Sequence, residues 1–144
     1  MQNIVICPIE HQDIPAVVDI QINGWKTAYK GVVADDFLAS MNREERIAKR
    51  EKDFSEKDFI VATTGDELVG FSRYTDHPDQ IRGFSGIDCE LCALYVKPEQ
   101  KYHGMNQIGA IHDEPVSKEK KTDIGGRLYD EVGFVFDLNK KETV

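Results

Sequence analysis

Apolar positions divide the first third of the chain into a strand and a helix. Residues 3–9 form a short β-rich run, which predicts a first strand. Apolar residues then recur at helical spacing from Ile14 to Tyr29. Asp13 can cap this helix, and Gly31 is an expected stop.

Two further helices and a hairpin are predicted next. Residues 35–40 indicate a short helix, and Asn42 with Glu45 resembles a capping box that opens another helix. Residues 59–63 and 67–74 have strand composition and are separated by a Gly-containing turn. The polar residues that follow, 75–86, indicate a long loop.

A central strand is predicted at about residues 87–96. Residues 90–96 are apolar on both faces, which predicts a strand buried on both sides. Pro98 ends its ladder because proline has no N–H to donate. A strand that ends at a loop containing Gly104 is a common place for a ligand to meet backbone amides.

The pattern weakens after Gly104. Residues 107–122 show no clear period, so no strand or helix is predicted there. Residues 124–127 indicate a turn, and the alternation of residues 132–138 predicts a last strand.

Composition narrows the class of protein. A chain of 144 residues suffices for one domain. The net charge of −8 argues against nucleic acid or an anionic membrane as partner and is compatible with a cationic substrate such as an amine. Three cysteines without framework spacing fit the reducing cytoplasm, and neither a membrane span nor a signal peptide is predicted.

Three segments resemble the GNAT superfamily of acyl-CoA N-acyltransferases. Residues 90–99, Glu-Leu-Cys-Ala-Leu-Tyr-Val-Lys-Pro-Glu, resemble its fourth strand, and residues 66–71 resemble its second hairpin strand. Trp25, Tyr29 and the segment that follows resemble its first two helices. The resemblance implies a single α+β domain over residues 1–144, with helices on a mixed, mostly antiparallel sheet. It also implies acetyl-CoA-dependent N-acetyl transfer to a small amine or to a peptide or protein amino group.

The resemblance is incomplete after the fourth strand. The family's phosphate loop aligns with residues 101–106, where Gly104 is kept but the second glycine is replaced by Asn106. Only 17 residues separate Asn106 from the turn at Ile124, whereas two helices and a strand need roughly 30. Residues 123–138 nonetheless resemble the closing hairpin of the family, so an internal shortening after strand four is predicted. It would leave Leu94 and Val96 exposed, so a homodimer or a swapped oligomer is expected.

The resemblance also implies roles for particular residues. Glu90 would be the general base, although a solvated carboxylate at the start of a strand is the alternative. The backbone at Leu94, Tyr95 and Val96 would hold the thioester and pantetheine of acetyl-CoA, and Lys101, His103 and Gly104 would meet its phosphates.

Two aromatic residues are candidates for the acceptor side. Trp25 and Tyr29 lie one helical turn apart, on the helix that lines this side in the family, and a core aromatic stripe explains them equally well. Tyr102 and Tyr129 are the nearest substitutes for a general acid, but packing roles are favoured. No metal site is predicted, since Cys89 and Cys92 are three apart on a strand and point to opposite faces.

Two other functions stay open. The first is a catalytically inactive remnant of the family that is oligomeric and binds CoA weakly or not at all. The second is a binding module that keeps Trp25 and Tyr29 without transfer chemistry.

Overall fold

The computed structural model describes residues 3–55, 59–76, 89–100 and 116–135. Its helices are α1 (Ile14–Ala28), α2 (Asp35–Ala39) and α3 (Arg43–Lys52). Its strands are β1 (Ile4–Pro8), β2 (Phe59–Thr64), β3 (Glu67–Thr75), β4 (Glu90–Val96), β5 (Val116–Ile124) and β6 (Arg127–Val135). The class is α+β, as the sequence predicts.

The described strands form two antiparallel sheets. Strands β1, β2, β3 and β4 pair in sequence order, and β5 pairs with β6 as a separate hairpin. Strands β2 and β3 are joined by a tight turn, as antiparallel strands can be, whereas α1, α2 and α3 lie between β1 and β2. Gly65 has a φ of +59° in the β2–β3 turn, where glycine meets no steric penalty.

Helix α1 provides much of the core. Its residues Ile14, Val17 and Val18 are fully buried. Asp13 precedes the helix, but its carboxylate accepts the backbone N–H of Glu10 at 2.8 Å and makes no cap bond to α1. The helix ends at Ala28, three residues before the predicted stop at Gly31.

Helix α3 begins where the capping pattern predicts. The Asn42 side chain accepts the backbone N–H of Glu45 at 3.1 Å, which satisfies a donor that the first helical turn leaves without a partner. Arg43 then donates from Nε to Asp19 at 2.6 Å, so an ion pair connects α3 with α1.

One face of the four-stranded sheet is covered by α1. The strand registers place Cys7, Val61, Phe71 and Tyr95 in a single row across the sheet. Val61 and Phe71 are buried there, and Cys7 and Tyr95 pack against the same cluster. This row lies beneath α1 because side chains at paired positions project from the same face.

The opposite face has no cover from the described helices, although Ala62 and Gly70 are buried there. The row on one side of the row beneath α1 contains Ile6, Ala62, Gly70 and Val96, and the row on its other side contains Leu94. Ile6 is 60% exposed and Leu94 is 38% exposed, and no described helix packs on this face. The predicted exposure of Leu94 is confirmed, while Val96 is half-buried.

The prediction that β4 is buried on both sides is wrong. None of its residues is buried, because β4 is the last strand of the described sheet and only its α1-facing side has a cover. An apolar sequence therefore occupies an edge position, and apolar residues remain in contact with solvent.

The expected closing hairpin is present, but its strand bounds differ from those predicted. The turn at Ile124–Arg127 is confirmed, but β5 occupies residues for which no strand was predicted. Polar residues dominate β5, and ladder hydrogen bonds rather than an apolar period define it. The last strand begins at Arg127 rather than at Val132, and residues 136–138 of the predicted strand lie outside the described residues. No helix in the described part of the chain combines the length and apolar character that crossing a membrane requires.

Candidate functional site

Strand β4 lies at the edge of the described four-stranded sheet. The Lys97 N–H donates to the Val69 carbonyl at 2.9 Å, which fixes the phase of the antiparallel ladder. Directly opposed residues alternate between bonded and non-bonded pairs, so the N–H and C=O groups of Leu94 and Val96 point away from β3. Among the residues described, no strand pairs with that edge. The backbone amides of Leu94 and Val96 therefore both point outward from β4. They are two residues apart, a spacing that an extended ligand chain can match.

A β-bulge interrupts β4 before these amides. The register shifts between Arg73 and Tyr74, whose partners Ala93 and Leu91 are two residues apart. The extra residue in β4 increases the local twist and turns the strand away from regular pairing. Pro98 and a short 3-10 helix, Pro98–Gln100, then end the strand. The edge available to a ligand is therefore short.

Tyr95 joins β4 to helix α1. Its ring stacks on Phe71 with centroids 5.0 Å apart, and it lies so close to Gly24 that a Cβ there would be 2.6 Å from the ring. Burial raises the pKa of the Tyr95 hydroxyl above its ordinary value of 10.0, and contacts with Trp25 and Gln21 oppose the rise. The hydroxyl is thus neutral at physiological pH and lies beside Trp25.

Three aromatic rings lie together at the end of α1 and in α2. The Trp25 and Tyr29 ring centroids are 4.7 Å apart, and Phe37 lies 6.2 Å from Trp25. Trp25 is half-buried and Tyr29 is 39% exposed, so the pair is neither a core stripe nor a fully solvated one. Trp25 and Tyr29 are in contact one helical turn apart, and their role on the acceptor side stays a prediction, whereas Phe37 was not singled out from the sequence.

The β5–β6 hairpin packs beside α2, next to the three aromatic rings. Its turn approaches α2 so closely that a Cβ on Gly125 would lie 2.5 Å from the Phe37 ring. The Ala34 N–H donates to the Tyr129 hydroxyl at 3.3 Å, although Ala34 and Tyr129 are distant in sequence. A cavity of about 370 Å³ lies between residues 31–35 and residues 127–129. Asp35 and Arg127 bring both charge signs to its wall.

The structure does not bring every predicted site residue together. Glu90 is half-buried at the start of β4, opposite Thr75. Four residues of extended strand, roughly 13 Å, separate it from Leu94. Its role as a general base stays a prediction. Lys101, Tyr102, His103 and Gly104, with the proposed phosphate loop, lie outside the described residues.

Comparison with known proteins shows a similarity in sequence to a curated protein. No family model matches the chain. The chain is 24% identical over 93 residues to YuaI of Bacillus subtilis, named as an uncharacterized N-acetyltransferase. This match covers 65% of the chain and 52% of the relative, so the chain spans about half the length of the curated relative that it matches.

Several solved structures are similar in fold to this chain. The PaiA N-acetyltransferase of Thermoplasma acidophilum, solved in complex with coenzyme A, matches with a TM-score of 0.50 and 22% identity. That match covers 75% of this chain and 65% of the other. A possible acetyltransferase from Clostridium difficile (TM-score 0.46, 18% identity, covering 74% of this chain and 64% of that one) is also similar. So is the apo form of YjaB from Escherichia coli (TM-score 0.47, 17% identity, covering 83% and 72%).

These comparisons confirm the resemblance to the GNAT superfamily and the class of fold. The antiparallel sheet with α1, α2 and α3 in its early connections is an α+β arrangement of GNAT type. The proteins of similar sequence or fold include N-acetyltransferases, and one of them was solved with coenzyme A.

Proposed function

We propose that this chain transfers the acetyl group of acetyl-CoA to an amine. The observation that carries the proposal is the pair of outward-directed amides at Leu94 and Val96, on either side of Tyr95, whose hydroxyl lies beside Trp25. An extended pantetheine arm carries amide groups that can pair with such an edge as an added strand does. The PaiA structure with coenzyme A supports the choice of cofactor.

The described residues fit the acetyl-bearing end of this ligand. In the proposed reaction the amine nitrogen bonds to the thioester carbonyl carbon, the C–S bond breaks, and the amine loses a proton to a base. Backbone N–H groups at Leu94 and Val96 would orient the thioester and stabilise negative charge on its oxygen. Glu90 is the residue that we propose as the base, acting on an amine held near β4. Phosphate contacts at Lys101, His103 and Gly104 are part of the same proposal.

The acceptor would lie in the cleft between α1, α2 and the hairpin. Trp25, Tyr29 and Phe37 offer aromatic faces, which attract an ammonium group through cation–π contact. Asp35 adds a carboxylate to the cavity wall. Arg127 on the same wall offsets that charge, so the aromatic faces are what favours a cationic amine, either a small molecule or the amino group of a peptide.

Saturating acetyl-CoA is expected to stabilise the protein. A ligand at a hundred times its dissociation constant adds about 2.7 kcal/mol to the free energy of unfolding, which a thermal melt detects.

Replacing Val96 with proline removes one outward N–H and no ladder bond, so V96P should fold and bind acetyl-CoA about tenfold or more weakly. Y95P is the matched variant, because its lost N–H faces β3 and the melting temperature itself should fall.

Two results would count against acetyl transfer. A wild-type melting temperature that acetyl-CoA leaves unchanged would favour the inactive remnant. Acetyl-CoA binding without acetylation of any member of an amine panel would favour the binding module. Equal affinity in V96P and wild type would show that the β4 edge does not hold the ligand.

We also infer that two copies of the chain associate through the uncovered sheet face. Ile6 and Leu94 project from that face and are 60% and 38% exposed, which is unfavourable for apolar side chains grouped on one surface. Light scattering at micromolar concentration is expected to give the mass of a dimer. I6K and L94K should shift the mass toward the monomer, whereas V32K, at a residue 65% exposed outside the sheet, should not. A monomeric wild type would contradict this inference.

A further inference from the structure

A second cavity lies on the α1 side of the sheet, away from the outward amides of β4. It has a volume of about 250 Å³ and is bounded by α1, α3 and the ends of β2 and β3. Its cationic lining residues are Arg46, Lys49, Arg50 and Arg73, and its one carboxylate is Asp53. Arg73 pairs with Ala93, the neighbour of Leu94, but Arg73 lies on β3 and the outward amides point from β4 away from β3. None of the lining residues belongs to β4. The cavity is therefore distinct from the proposed acetyl-CoA edge.

Two guanidinium groups are fixed against one aromatic ring in this cavity. Arg50 lies 4.7 Å from the centroid of the Phe59 ring, and Arg73 lies 5.9 Å from it. Arg50 also donates to Gln21 Oε1 at 3.3 Å and is half-buried. Burial lowers the pKa of Arg50, and the charges of Arg73 and Arg46 lower it further. Like charges are thus held close together in a partly desolvated site.

The positive charge of this cavity is not balanced by the described residues. Within residues 3–55, 59–76, 89–100 and 116–135, none of the four cationic side chains forms an ion pair. Arg43, on the same helix, pairs instead with Asp19 and Glu44. Four cations facing one carboxylate in a chain of net charge −8 form a local concentration of positive charge. Such a concavity attracts an anion and raises its local concentration.

We propose that this cavity binds the phosphate group of a small molecule. Guanidinium groups match the geometry of phosphate oxygens and bind them in pairs, and a dianion balances several cations better than a single carboxylate does. The volume admits phosphate together with a short substituent. The proposal does not depend on acetyl transfer, because its residues are separate from Leu94 and Val96.

Isothermal titration with inorganic phosphate and with glycerol 3-phosphate, at constant ionic strength, tests the proposal. Binding with a dissociation constant of about 1 mM or tighter is expected for at least one of them. Tighter binding of the ester would indicate a phosphate carried by a metabolite, and tighter binding of the free ion would indicate phosphate itself. R46Q and R73Q should each weaken binding about tenfold, since each removes a charged donor.

A matched variant separates a local site from general electrostatics. K52Q removes the same charge from the same helix, at an exposed residue that does not line the cavity, and should weaken binding less than about threefold. Melting temperatures of all three variants should stay close to the wild type. The proposal fails if neither anion binds or if K52Q matches R46Q and R73Q. It also fails if acetyl-CoA abolishes phosphate binding, because the anion would then occupy the acetyl-CoA site.

Discussion

Replacing Phe71 with alanine should lower the free energy of unfolding by about 3–5 kcal/mol. Phe71 is 3% exposed, and its ring lies between Phe59 at 6.1 Å and Tyr95 at 5.0 Å. Truncation removes both ring contacts and leaves a cavity beneath α1. Total stabilities of small domains are about 5–15 kcal/mol, so the variant would be close to unfolding at moderate temperature.

Denaturant unfolding followed by tryptophan fluorescence can measure this loss. Trp25 is the single tryptophan and adjoins Tyr95, so its emission reports on the same contacts. The control is Y74A, three residues further along β3, where the side chain is 38% exposed and a change of less than about 1 kcal/mol is expected. A similar change in both variants would show that the Phe71 cluster is not the main source of stability.

Replacing Gly24 with valine should destabilise the protein by about 3 kcal/mol. Even a methyl group there would lie 2.6 Å from the Tyr95 ring, and that ring is held in place by its stacking on Phe71. Valine has a better helix propensity than glycine, so a loss of stability would identify the steric contact as the cause.

Two further variants make the Gly24 prediction specific. N23V adds the same side chain at the preceding, exposed helix residue and should leave stability within about 1 kcal/mol of the wild type. In the Y95A background, G24V should lose most of its effect, because the atoms that it clashes with are gone. Additive changes in the double variant would contradict the contact.

Local signals predicted the elements of the first half well. The Asn42 capping pattern gives the start of α3, and the Gly65 turn gives the β2–β3 hairpin, because caps and turns depend on residues close in sequence. The position of β4 was predicted, but its burial was not. Apolar residues on both faces indicate a buried strand only when other elements supply both covers.

The site was predicted less completely for a related reason. Trp25 and Tyr29 share one helix, so their spacing reveals their proximity. Phe37 joins them only when the chain turns at Gly31, and Tyr129 reaches Ala34 only when the hairpin folds against α2. The cationic cavity combines α1, α3, β2 and β3, and no local pattern in any one of them indicates it. Contacts between segments that are distant in the chain could not be predicted from a single sequence.

The outward amides of β4 also affect how the protein behaves at high concentration. Any extended chain can pair with an edge of this kind, including the same strand of another copy, and that pairing leads to aggregation. The bulge shortens the edge, and Pro98 directly after Lys97 limits how far a foreign strand can extend along it. The residues that protect the edge from a foreign strand are therefore the same few residues that a ligand must reach. A ligand bound along this edge would take the place of a pairing strand and would reduce aggregation.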